Sequence, residues 1–96
     1  MSVRVYYDLD STGSYIDGTR LQKLTAAGAS DDVITNSTNR QSTSPTYYDL
    51  SATSNYTLTA SAGALNLYLD ISHDGDPAHD VNIGGVRVRL RHYDEP

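Results

Sequence analysis

Apolar and polar residues alternate along much of this 96-residue chain, and the alternation is clearest between positions 65 and 93. Leu65, Leu67, Leu69 and Ile71 take every second position, with Asn66, Tyr68, Asp70 and Ser72 between them. A period of two puts one set on the buried face of a strand and the other on the opposite face. Val86, Val88 and Leu90 alternate in the same way with Arg87, Arg89 and Arg91, so the three arginines project together away from the aliphatic side chains. Gly84 and Gly85 break the alternation between Ile83 and Val86, as a bulge does. Between the two strands, residues 74–80 gather turn formers, and Pro77 cannot donate to a sheet ladder. The pattern predicts a long hairpin with residues 73–80 as its loop.

Upstream, Val3, Val5, Tyr7 and Leu9 alternate with Arg4, Tyr6, Asp8 and Asp10, an opening strand ended by the turn formers at 10–14. From 19 to 28 the spacing changes: Leu21, Leu24 and Ala27 recur every third residue, with Thr19 placed to cap and Gly28 to stop a turn. That spacing fits a short helix or an irregular crossover. Val33 and Ile34 mark a brief strand after Asp31 and Asp32. Residues 36–55 are rich in Ser, Thr and Asn and contain Pro45. They read either as an exposed loop carrying a weak strand over Tyr47–Leu50 or as a flexible arm that orders on a partner. Tyr56, Leu58 and Ala60 alternate with Thr57 and Thr59 as a further strand, and 61–63 form the turn into the hairpin. Five to six short strands separated by Gly, Ser and Asp turns predict an all-β fold, a small antiparallel β-sandwich or barrel.

The chain has the length of one domain, 1–96. Leu, Ile and Val together number 19 and Phe is absent, so the core is thin. A thin core favours dependence on a neighbouring subunit, in a homo-oligomer or a larger assembly. The absence of cysteine excludes a disulfide framework and thiolate metal sites. A net charge of -5 disfavours nonspecific binding to nucleic acid or an anionic membrane, which depends on Lys and Arg. No apolar run has membrane-spanning length and no apolar region follows basic residues at the amino terminus, so synthesis in the cytoplasm is expected. Two glycosylation sequons, at Asn36 and Asn55, are the kind that arise by chance in a Ser/Thr-rich chain.

Three groups of residues bear on chemistry. Asp74, Asp76 and Asp80 offer oxygen ligands of the kind calcium takes, and His73 and His79 would suit zinc. Their spacing completes no known calcium loop, however, and a solvated turn uses the same residues. In the predicted hairpin, Arg87, Arg89 and Arg91 share a face with Asn66, Tyr68 and Asp70, either as a self-satisfied ladder or as an interface built on Arg and Tyr. The eight tyrosines are the only aromatics. Tyr7 and Tyr56 fall on core faces, and Tyr6, Tyr68 and Tyr93 on polar faces, where flat rings serve sugar- and protein-binding surfaces. Only three histidines occur, with no nucleophile-elbow or phosphate-cradling motif. A non-enzymatic protein without a cofactor is expected.

A polar, cysteine-free, Tyr/Ser/Thr-rich β domain has the surface of an extracellular module, yet no export signal is visible. In size, strand content and composition the chain resembles the small β-rich decoration, or cement, proteins of phage capsids. The resemblance implies a virion protein, made in the host cytoplasm, that binds the major capsid or another virion protein. Arg87, Arg89, Arg91, Tyr6, Tyr68 and Asp70 are its expected interaction surface. The alternative is a carbohydrate-binding β-sandwich with stacking tyrosines and a calcium loop at 73–80.

Overall fold

Val3, Val5, Tyr7 and Leu9 are buried along one face of the first strand, β1 (Ser2–Leu9), while Tyr6 on the other face is exposed. The computed structural model describes residues 1–24, 30–53 and 64–90. Within them lie five further strands: β2 (Tyr15–Leu24), β3 (Ser30–Asn36), β4 (Thr46–Ser51), β5 (Ala64–Ser72) and β6 (Val81–Arg89). They form two three-stranded antiparallel sheets, ordered β4-β1-β6 and β3-β2-β5. The all-β reading therefore holds, in its sandwich form. The strand expected over Tyr56–Ala60 lies outside the described residues.

The helix expected from Thr19 is not formed, because Thr19–Leu24 complete β2. This strand is paired on both sides, to β3 and to β5, and two hydrogen-bonded ladders outweigh a weak local spacing. A register shift between Ile16 and Gly18 offsets the buried positions on its two sides. Ile16 and Thr19 are both fully buried, although their spacing is not that of an undisturbed strand. The remainder of the proposed helix, 25–28, lies outside the described residues.

The long hairpin is also overturned. β5 pairs with β2 and β6 with β1, so the two strands belong to different sheets. Their connection crosses from one sheet to the other, fastened to the β1–β2 turn at the same end of the molecule. Asp10 N–H donates to the Asp80 carbonyl at 3.1 Å, and Asp80 N–H returns a bond to Asp10 Oδ2 at 3.1 Å. Asp74 N–H donates to the buried Ser14 hydroxyl at 3.0 Å. The expected bulge is present: Gly85 lies opposite Tyr6 and Ile83 opposite Tyr7, leaving Gly84 as the extra residue.

The core joins the sheets through Val3, Val5, Tyr7, Leu9 and Tyr48 from one and Ile16, Leu21, Val33 and Ile34 from the other. Tyr7 and Tyr48 meet edge to face with centroids 5.7 Å apart, an orientation that sets ring edge against ring face. Between the sheets the Tyr48 and Thr19 hydroxyls share a buried hydrogen bond of 2.7 Å. At the margin, the Arg40 backbone exchanges two hydrogen bonds with Ile16, and its guanidinium lies 4.2 Å from the Tyr48 ring centroid.

Candidate functional site

The alternation that buries Val3, Val5 and Tyr7 turns Ser2, Arg4 and Tyr6 outward along β1, the central strand of its sheet. Antiparallel pairing then sets Arg4 between Asp49 of β4 and Arg87 of β6, Tyr6 beside Tyr47, and Ser2 beside Arg89. Arg87 and Arg89 thus share this face with Tyr6. Arg91 lies outside the described residues.

Arg4 organises this face. Its Nε and Nη2 donate to the two Asp49 carboxylate oxygens at 2.7 and 2.9 Å, a two-pronged geometry that fixes both side chains. The guanidinium lies 4.0 Å from the Tyr47 ring centroid, and Nη1 reaches the Tyr6 hydroxyl at 3.5 Å. Tyr6 and Tyr47 contact each other at 5.5 Å between centroids. The Arg4 hydrogen bond and charge hold the Asp49 carboxyl below the usual carboxylate range, with Arg87 and Arg89 adding to the effect. The hydrogen bond from Arg4 likewise lowers the Tyr6 hydroxyl, and Asp49 drives Arg4 further toward its charged form.

Charge on this face is not balanced. Arg4 and Arg87 are direct cross-strand neighbours, a like-charge arrangement that costs stability unless a counter-charge is near. Asp49 engages Arg4, and among the described residues Arg87 and Arg89 have no ion-pair partner. A depression of about 140 Å³ lies between Arg4, Asp49, Arg87 and Arg89. Beside it, a more apolar notch of about 390 Å³ is lined by Tyr6, Pro45, Tyr47, Asn82, Ile83 and Gly84. Gly84 lines the notch, and a Cβ there would make an ordinary 3.7 Å contact with that of Tyr6.

Tyr68 and Asp70 are not part of this face. They lie on β5 in the other sheet, opposite Arg20 and Gly18, and the Arg20 guanidinium sits 5.5 Å from the Tyr68 ring centroid. The expected ladder between these residues and Arg87 and Arg89 is absent because the hairpin that would have formed it is absent. Three residues of the face were missed from sequence: Arg4, Tyr47 and Asp49. Arg4 was already visible on the polar side of β1, but its neighbours depend on strand order.

The carboxylates of the 73–80 loop act as local braces. Asp74 Oδ1 accepts the Asp76 N–H and Asp76 Oδ1 accepts the Ala78 N–H, both at 2.9 Å. Asp74 Oδ2 pairs with His79 Nδ1 at 2.5 Å, which lowers the Asp74 carboxyl and raises His79. His73 Nδ1 accepts the Gly75 N–H, leaving Nε2 to donate to the His79 carbonyl at 2.7 Å. Asp80 takes part through its backbone. Among the described residues no three His, Asp or Glu side chains converge as a metal site.

No protein-family model, curated protein or solved structure matches this chain.

Proposed function

We propose that this protein is a non-enzymatic docking module that attaches through the outer face of the β4-β1-β6 sheet to a partner protein offering carboxylates. The observation that carries the reading is the Arg4, Arg87 and Arg89 cluster with Tyr6 and Tyr47, fixed on a sheet of a chain whose net charge is -5. Concentrating cations against that balance, with two arginines side by side, is repaid when an anionic partner group enters the depression between them. Arginine and tyrosine on rigid backbone also lose little freedom on binding.

The most specific form of this reading is decoration of a phage capsid lattice, to which the chain's size, strand content and composition are suited. Sedimentation of lysate from the native source, with the chain tracked by mass spectrometry, tests it. The expected result is stoichiometric co-migration with a very large particle, lost in Arg87→Ser/Arg89→Ser protein that circular dichroism shows to be folded. A chain remaining at the top of the gradient would remove the assembly reading.

The Tyr6–Tyr47 pair beside the 390 Å³ notch favours a second reading, stacking on a sugar ring. Glycan titration followed by NMR separates the two. Sugar binding would fall with Tyr47→Ala and survive Arg87→Ser/Arg89→Ser.

A further inference from the structure

Among the described residues the sandwich is closed along one side and open along the other. On the closed side Tyr48 of β4 is 6% exposed and Val33 and Ile34 of β3 are 4% and 5% exposed. On the open side the same inward faces continue onto β6 and β5 but are left uncovered by the described residues. Val3 and Val5 are 1% and 0% exposed, whereas their β6 partners Val88 and Val86 are 39% and 44% exposed. Ile16 is 0% exposed and its β5 partner Ile71 is 44% exposed. Among the described residues β5 and β6 each pair on one side only, so two nine-residue edges without proline flank an apolar cleft. Long unprotected edges of this kind recruit another strand.

We infer that a second copy of this chain closes the open side, β6 of each copy pairing with β5 of the other about a two-fold axis parallel to the strands. β5 ends and β6 begins at the same end of the sandwich, so they run in opposite directions and such an axis makes each new pair antiparallel. Two continuous six-stranded sheets result. The alternation must match across the new ladder, which keeps Leu67, Leu69, Val86 and Val88 inside and sets Arg87 and Arg89 beside Tyr68 and Asp70 outside. The competing dimer, β6 against β6, would place arginines against arginines. Charge complementarity therefore selects β5 against β6. The β4-β1-β6 outer faces then point to opposite sides of the dimer, with Arg4, Tyr6 and Tyr47 clear of the seam and Arg87 and Arg89 at its margin.

Sedimentation velocity and light scattering on the full chain test this over a range of concentrations. A species of about twice the 10.4 kDa chain mass is expected, with a melting temperature that rises with concentration. Val86→Lys places a charge in the closed cleft and should weaken the dimer roughly tenfold or more. Asp70→Lys should weaken it too, and adding Arg87→Asp should restore it. Circular dichroism confirms that each variant is folded. A wild-type monomer at every concentration would overturn the inference. So would a dimer that Asp70→Lys leaves unchanged and Arg87→Asp/Arg89→Asp strengthens, since that pattern belongs to β6 against β6.

Discussion

The hydroxyls of Thr19 and Tyr48 meet at 2.7 Å inside the core, one from each sheet. Thr19 is fully buried and Tyr48 nearly so, and burial raises the Tyr48 hydroxyl above its ordinary range. Neither oxygen can turn to water, so removing one leaves the other unsatisfied. Thr19→Val and Tyr48→Phe should each cost about 1–3 kcal/mol. For a domain of this size that is about 4–8 °C of melting temperature per kcal/mol. The double variant should cost clearly less than the sum, because it removes both partners of the bond. Additive losses by thermal denaturation would show that the two hydroxyls act separately.

The legibility of this fold follows from what a period of two can say. Alternation in β1, β5 and β6 gives the inward-facing side of each strand: Val3 is buried, Leu67 packs against the core, and Val88, although 39% exposed, lies opposite Val3 on the same side. It does not give the neighbour. β5 and β6 carry the pattern of a hairpin, yet the Ser14 and Asp10 hydrogen bonds to their connection route them into separate sheets. The outer face of β4-β1-β6 follows the same rule: Tyr6, Arg87 and Arg89 fall on polar faces from sequence, whereas Asp49 and Tyr47 join them only through the β1–β4 pairing. In β2 the buried Thr19 is polar and Leu24 stands three residues beyond Leu21, so the residues carry a helical spacing although the strand is paired on both sides.

Leu21 is 1% exposed on β2, the central strand of its sheet. Leu21→Ala removes three carbons from a core that has few large side chains to rearrange, and should cost about 2–5 kcal/mol. That is a large share of the total stability expected of a small domain, about 5–15 kcal/mol. Urea denaturation should show a much lower midpoint. A loss below about 1 kcal/mol would mean that the site collapses around the cavity instead of keeping it.

Gly13 is required by its closeness to Asp74, not by an unusual backbone. A Cβ built at Gly13 would stand 2.5 Å from Asp74 Oδ2, the oxygen that holds His79. Gly13→Ala must displace that carboxylate or the turn around it. The variant should melt below the wild type, and its His79 should titrate closer to an ordinary histidine by NMR. An unchanged His79 titration would show that the turn yields while the pair stays intact.

The Asp74–His79 pair also sets a pH dependence. Its two members are shifted in opposite directions, His79 upward chiefly by its hydrogen bond to Asp74, and Asp74 downward chiefly by the same bond. A histidine raised on folding contributes stability that is complete below its unfolded value, about 6.5, and disappears as pH rises through the raised folded value. A carboxyl lowered on folding contributes stability that is present above about 3.9 and disappears as pH falls through its lowered value. The pair therefore fastens the 73–80 connection most firmly between those limits, in mildly acidic solution. Wild-type melting temperature should fall as pH rises from about 6 toward 8 by an amount that His79→Gln abolishes, since glutamine does not titrate. The same alkaline loss in His79→Gln protein would assign it to another group.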